Sequence, residues 1–281
     1  MEPNQRETVE IEEARIFLFD NEASTNLPRV EDTILGSKDA PIGILLQHGF
    51  AGSNLEMLYL GNQLALQGYR VLIPVLPGHG TNSGDLIGVT YHDWIKKHRE
   101  GYNYLRNELQ ERKIIAIGHS LGGTLSLNLA ADIPDLNAVI SIAGPIEFTR
   151  FERLLVKIGG RLPIKYPYED FLFFDERLYH HPSVEMFNKN YGKMPMEAIR
   201  QVFELLAYTK KKLKKIHIPV YLINSKHDPT VPPYHLYRVL KGIASNRIEI
   251  TWLEESYHII VVDNDRDRLA ENIIRFINQV A

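Results

Sequence analysis

The chain contains no cysteine. That excludes disulfide bridges, thiolate metal sites and a cysteine nucleophile, and it fits a reducing compartment. No apolar run approaches the roughly 20 residues needed to span a bilayer. The opening residues Met1 to Arg15 are polar and rich in glutamate, without the apolar core of a signal peptide. A cytoplasmic protein with no stable membrane anchor is the expectation. Charge of one sign is also scarce: the net charge is −3 over 281 residues, so no global basic field would draw in nucleic acid or an anionic membrane. Internal repeats, low-complexity linkers, a phosphate-binding loop and a dinucleotide glycine fingerprint are all missing. What remains is an ordinary globular composition, 44% hydrophobic and 24% charged. It is enough for a large core, in one α/β domain with an insertion or in two domains.

The most informative stretch runs from Ile114 to Thr124. Ile114-Ile115-Ala116-Ile117 is too short for a helix and β-branched in character, the pattern of a strand buried on both faces. Beyond it Leu121, Leu125 and Leu129 recur every fourth residue, the inner stripe of a helix. Ser120 therefore sits in a tight strand-to-helix turn, with Gly118, Gly122 and Gly123 removing side chains that would block it. This is the Gly-x-Ser-x-Gly nucleophile elbow, which lifts a serine hydroxyl above the sheet edge at a helix N-terminus. The pattern alone arises by chance; the strand before it and the helix after it supply the context that identifies Ser120 as the nucleophile.

Elsewhere the chain alternates strands and helices. Short strands at Ile16–Phe19 and Thr33–Leu35 suggest an antiparallel start to the sheet, and Ile42–Leu46 is the first strongly apolar strand. Ser53 and Glu56 form a capping-box pattern that starts a helix reaching about Gln67. A strand at Arg70–Pro74, a helix at Tyr91–Leu109, the central strand and elbow, and a strand at Ala138–Ala143 follow. The rhythm breaks from Gly144 to about Met196, where aromatics are dense, and resumes with helices at Glu197–Leu213, Tyr234–Ile243 and Arg266–Val280 and strands at Val220–Asn224 and Ile248–Leu253. The expectation is an α/β fold: a mainly parallel sheet covered by helices on both faces, with residues 1–143 and 197–281 as core and 144–196 as an inserted cap. Ligands bind such sheets beyond the carboxyl ends of the strands.

A serine hydroxyl needs a base, and the base needs an orienting group. On this architecture the order along the chain is Ser, then Asp or Glu, then His. Asp228 lies just past the strand ending at Asn224, and His258 just past the strand ending at Leu253. Competing acids are Glu254 and Glu255, which leave the strand directly, and Asp263, whose run Asp263-Asn264-Asp265 reads as capping and dipole compensation for the last helix. Order and loop placement favour Asp228. The oxyanion requires two backbone donors: the amide of Leu121, next after the nucleophile, and that of Phe50 in His48-Gly49-Phe50. His48 and His79 lie in glycine turns and read as loop holders, while the His119 side chain should point away from the hydroxyl. The adjacent pair His180-His181 lacks metal-ligand spacing, so no metal is expected. The run Lys210 to Lys215 reads as a solvated helix C-terminus.

Taken together, HGFAGS at His48, GHGT at Gly78, YHDW at Tyr91, GHSLGGTL at Gly118, HDPTVPP at His227 and SYHIIVVDND at Ser256 resemble the bacterial carboxylesterase and monoacylglycerol lipase group of the α/β-hydrolase superfamily. The likeness runs from near Gly43 to near Phe276. It implies an α/β-hydrolase fold with Ser120, Asp228 and His258 as triad, Phe50 and Leu121 as oxyanion donors, and a small mobile cap. The cap departs from the group: the acidic residue that favours glycerol has no clear counterpart, Glu185 being the nearest. The expected activity is a serine carboxylesterase acting on small esters with apolar acyl chains of short to medium length, with no cofactor. Within the class the alternative is a monoacylglycerol lipase, and outside it a non-catalytic ligand-binding version of the fold. Phe171, Phe173, Phe174, Tyr179 and Phe187 of the cap are the expected acyl-pocket lining.

Overall fold

The structure, a computed structural model, describes residues 30–108, 113–147 and 194–280. Seven strands form one sheet: β1 (Thr33–Leu35), β2 (Ile42–Gln47), β3 (Arg70–Ile73), β4 (Lys113–His119), β5 (Ala138–Ile142), β6 (Val220–Ser225) and β7 (Ile248–Leu253), in the order β1-β3-β2-β4-β5-β6-β7. β1 runs antiparallel to β3, with Thr33 opposite Ile73. All other neighbours are parallel. Six helices lie among the described residues: α1 (Asn54–Leu66), α2 (Tyr91–Glu108), α3 (Leu121–Asp132), α4 (Met196–Lys210), α5 (Tyr234–Gly242) and α6 (Arg266–Val280). This is the expected α/β-hydrolase architecture.

The strand period of two decides which side chains meet which layer. On β2, Ile44 and Leu46 enter one core with Ile115 and Ile117 of β4, Met57, Leu60 and Leu64 of α1, and Ile273 and Phe276 of α6. Leu45 faces the other way, into a core with Ala116, Leu105 of α2 and Leu127 of α3. Each such buried aliphatic side chain contributes about 1.5–3 kcal/mol relative to exposure, so both faces of β2 and β4 hold the sheet between helix layers. The register then aligns the strand ends that matter. Gly118 of β4 stands opposite Gln47 of β2 and Ser141 of β5, so the loops leaving β2 and β4 emerge side by side at the same edge.

Several local readings change. Ser53 caps α1, its Oγ accepting the Leu55 amide at 3.2 Å, but Glu56 does not close a capping box; its carboxylate accepts the Gly49 amide across the loop. The lysine run is not simply solvated. Lys210 pairs with Glu147, and Lys212 pairs with Asp132 at 2.6 Å while sitting 4.3 Å above the Tyr208 ring. Short 3₁₀ turns at Ser83–Leu86 and Leu213–Lys215 were not expected. The strand expected at Ile16–Phe19 and all but the ends of the expected cap lie outside the described residues.

Candidate active site

The β4–α3 turn is built by close approach. At Gly118 a Cβ would lie 2.1 Å from the backbone of Gly122, and at Gly122 a Cβ would lie 2.3 Å from the Gln47 carbonyl oxygen. Only glycine at both positions lets α3 begin this tightly against β2 and β4. Between them Ser120 takes φ 52° and ψ −116°, a backbone region that side-chain-bearing residues rarely adopt. Its amide donates to Ile142 of β5 at 2.8 Å, and its carbonyl accepts Thr124 N–H at 3.2 Å, which over-determines the conformation. The other non-glycine residues with positive φ among those described, Ala51 and Ala143, lie just beyond β2 and β5 at the same edge of the sheet.

The structure brings Ser120, His258 and Asp228 together. His258 Nε2 is 3.0 Å from Ser120 Oγ, and His258 Nδ1 is 2.8 Å from Asp228 Oδ2. A carboxylate only accepts, so Nδ1 carries the proton and Nε2 is left to accept from the serine hydroxyl. The other carboxylate oxygen, Asp228 Oδ1, accepts the amides of Thr230 and Val231 at 2.9 and 2.8 Å, which fixes the acid in its loop after β6. All three side chains are buried, Ser120 retaining only 8% exposure. The His258 loop is held in turn by groups assigned other work from the sequence. Asp263, fully buried, accepts the Tyr257 amide at 3.0 Å, and Asp265 accepts the Glu255 amide at 2.8 Å. Ser256 Oγ accepts the Asp265 amide, while Ser225 Oγ donates to the Ser256 carbonyl. The acidic run therefore binds the loop backbone with its side chains, while its Asp263 and Asp265 carbonyls accept the Arg266 and Leu269 amides at the start of α6.

Opposite Ser120 lies the β2–α1 loop. A Cβ at Gly49 would stand 3.3 Å from Ser120 Cβ, so a glycine here eases the close approach of the following peptide to Ser120. The Gly49 carbonyl accepts from His48 Nδ1 at 2.8 Å and from the Gly52 amide at 3.2 Å. Because a trans peptide points its N–H opposite its C=O, these bonds fix the direction of the Phe50 amide. Leu121, in the first turn of α3, donates its amide to no acceptor among the described residues, as helix N-termini leave such donors open. His48 accepts the Leu76 amide on Nε2 at 3.1 Å and is a neutral loop holder, as expected; burial, foremost, pulls its pKa below the ordinary imidazole value. Burial likewise drives His79, whose Nδ1 faces Pro77 O at 3.0 Å, down to about 3.

The His119 side chain does point away from the hydroxyl, into a buried contact. Its Nδ1 is 3.4 Å from Glu56 Oε1, and its Nε2 is 2.9 Å from the His258 carbonyl oxygen. Burial opposes charge on both partners. Their mutual attraction and hydrogen bond outweigh it, holding Glu56 below and His119 above their ordinary values. Sequence reasoning missed Glu56, His119, Asp263, Asp265, Ser225 and Ser256 as parts of the site. For His119, Ser225 and Ser256 the available signal was a polar residue at or just past a strand end; Glu56, Asp263 and Asp265 lie well beyond one and carried no such signal. Phe171, Phe173, Phe174, Tyr179 and Phe187, with His180, His181 and Glu185, lie outside the described residues.

Comparison with known proteins bears on this arrangement. Residues 40–265 match the family model described as serine aminopeptidase, S33. A thermostable monoacylglycerol lipase of Bacillus sp. (strain H-257) is 34% identical over 240 residues, covering 85% of this chain and 92% of that protein. A carboxylesterase of Bacillus subtilis (strain 168) is 27% identical over 237 residues, covering 84% and 92% respectively. Among solved structures, one from a study of the metagenome-derived lipolytic enzymes LipS and LipT superposes with a TM-score of 0.78 at 26% identity, covering 90% of this chain and 99% of that one. A monoacylglycerol lipase of Paleococcus ferrophilus superposes with a TM-score of 0.72 at 18% identity, covering 90% and 100%, a likeness of fold.

Proposed function

The chain belongs to the serine aminopeptidase S33 family, in the carboxylesterase and monoacylglycerol lipase group of the α/β-hydrolase superfamily, and on that premise we propose how it hydrolyses carboxylic esters. Ser120 Oγ attacks the ester carbonyl as its proton passes to His258 Nε2. Asp228 holds the imidazole in the tautomer this requires and stabilises the imidazolium that forms. The amides of Phe50 and Leu121 receive the oxyanion of the tetrahedral intermediate, each donor worth about 10²- to 10³-fold in rate. The imidazolium then protonates the departing alcohol, and water, activated by His258, releases the acid from the acyl-enzyme and restores Ser120. Every step is carried by the chain's own groups.

The observation that carries this reading is the unbroken hydrogen-bond path from Ser120 Oγ through His258 to Asp228, at 3.0 and 2.8 Å. The substrate class we infer is a small ester with an apolar acyl chain of short to medium length, held by aromatics of residues 144–196 acting as a cap. Phe171, Phe173, Phe174, Tyr179 and Phe187 are the candidates. A glycerol monoester is the second reading, favoured by the 34% identity to a monoacylglycerol lipase.

The test pairs a covalent probe with a substrate panel. A serine-directed phosphonate should label wild type on Ser120 and leave Ser120→Ala unlabelled, with ester turnover reduced about 10⁴-fold or more. An adduct on any other residue would end the assignment. Across acetyl to octanoyl esters, alanine variants of the five cap aromatics should lose kcat/KM on the longer esters selectively, since each buried methylene contributes about 0.8 kcal/mol. Equal loss on all chain lengths would remove the cap from the acyl pocket. A 1-monoacylglycerol turned over faster than alkyl esters of equal acyl length would favour the second reading.

A further inference from the structure

Three loops that leave different strands converge on one pair of buried side chains behind the site. Glu56, in the first turn of α1, accepts the Gly49 amide at 2.7 Å and so holds the loop after β2. His119 is the last residue of β4, immediately before Ser120. It faces Glu56 Oε1 at 3.4 Å on Nδ1 and the carbonyl oxygen of His258, in the loop after β7, at 2.9 Å on Nε2. A carbonyl and a carboxylate are both acceptors, so donors are called for at both ring nitrogens, and the ring that supplies two donors is an imidazolium. Both side chains are buried, at 5% and 3% side-chain exposure. The other titratable groups around the pair are His48, His79, Asp228 and the His258 ring, whose centroid is 5.1 Å from that of His119.

Neither member touches the reacting atoms. Their placement nevertheless links the loop bearing the Phe50 amide, the nucleophile's neighbour and the backbone of the base. These parts come from β2, β4 and β7, and β7 is the outermost strand, three places from β4. Hydrogen bonds within the sheet set the strand register but leave the loops beyond it to be fixed by side chains. We infer that the Glu56–His119 ion pair is a positioning device that sets the distance between the oxyanion amide, Ser120 and His258. This rests on the reading of Ser120, His258 and Asp228 as the triad. In the ground state, ester binding does not require that distance. The transition state does, since oxyanion and imidazolium must be met at once.

The experiment compares wild type with Glu56→Gln, His119→Gln and the double variant, each checked for a cooperative thermal transition. The expected result is kcat lowered by about 10- to 100-fold, the scale of an ångström-level misplacement, with KM within about twofold. Affinity for an alkyl trifluoromethyl ketone, which mimics the tetrahedral adduct, should fall by the same factor as kcat/KM. The double variant should lose no more than the worse single, because both singles break one link. Unchanged kcat in folded Glu56→Gln, a loss confined to KM, or multiplicative losses in the double variant would each overturn the inference. If Glu56→Gln does not fold, Gly52→Ala carries the same test. A Cβ there would lie 2.3 Å from Glu56 Oε2, displacing the carboxylate without removing it; the same kcat loss is expected, and unaltered kcat overturns the inference. Phosphonate labelling separates the two claims. Failure to label Ser120 in wild type defeats the triad reading itself, whereas equal labelling rates on Ser120 in wild type and variants defeat only the positioning role.

Discussion

Gly122→Ala offers the sharpest test of how the elbow is made. The added Cβ would lie 2.3 Å from the Gln47 carbonyl oxygen and 2.7 Å from that of His48. Both contacts are backbone, so no side chain can swing aside. Restoring an ordinary contact distance requires the start of α3 to retreat from the end of β2 by about 1 Å. That movement carries Ser120 and the Leu121 amide with it, away from a Phe50 amide anchored to β2. Misplacement on this scale costs about 10²-fold in rate, and strain of this kind destabilises by about 1–3 kcal/mol. Gly68→Ala is the matched control: its Cβ would meet nothing within 4 Å, but its φ of +84° disfavours a side chain. It should cost on the order of 1 kcal/mol in stability and leave turnover intact. The assay is kcat and KM on a chromogenic acetyl ester, with denaturant unfolding to report stability. Wild-type kcat in a folded Gly122→Ala would refute the claim that close approach at this glycine positions Ser120.

Three further outcomes follow from the same geometry. Asp228→Asn should reduce turnover by about 10⁴-fold through the wrong imidazole tautomer. Asp263→Asn, which keeps one oxygen acceptor where the carboxylate accepts the part-buried Tyr257 and Asn264 amides with two, should cost on the order of 1 kcal/mol of stability and a much smaller share of kcat; if Asp263→Asn proves the more damaging to turnover, the two acids have been assigned the wrong way round. The stability advantage of wild type over Glu56→Gln, measured by unfolding across pH, should be fully present between the ordinary carboxylate and imidazole values of 4.5 and 6.5. It should decline above that window as pH passes the raised His119 pKa, and below it as pH passes the lowered Glu56 pKa, because each group then loses the charge that folding favours. A flat difference across pH would show that the pair is not ionic.

The parts of this molecule that could be read from the chain are those whose cause is local or periodic. The β4–Ser120–α3 unit announces itself because a β-branched run, a glycine-flanked serine and leucines at every fourth position each point to one backbone path. Strand β7 was equally legible from Ile248-Glu249-Ile250-Thr251-Trp252-Leu253, although its half-exposed edge position was not. Glu56 shows where such reading stops. Three residues after a capping serine, it satisfies the capping-box pattern, and nothing in that spacing reveals that Gly49, folded back across the loop, competes for its carboxylate and wins. Asp263 and Asp265 show the same limit: proximity to a helix start suggests a local partner, and nothing in the spacing reveals that their carboxylates also accept amides six and ten residues back in the His258 loop. Residues joined through tertiary contacts carry no periodic signature, so this supporting layer became visible only with the fold.

The backbone angle of Ser120 has an evolutionary corollary. At φ 52° and ψ −116° a glycine would rest more comfortably than any residue with a side chain, by on the order of 1–3 kcal/mol. Selection for thermodynamic robustness alone therefore pushes this position toward glycine, which costs the protein its hydroxyl. In a lineage released from the need to turn over esters, the serine would face both relaxed constraint and a standing gradient against it. On the proposed reading of Ser120 as nucleophile, a serine in that conformation marks a position where catalytic use outweighs folding economy, and such positions are where a decaying descendant would change first.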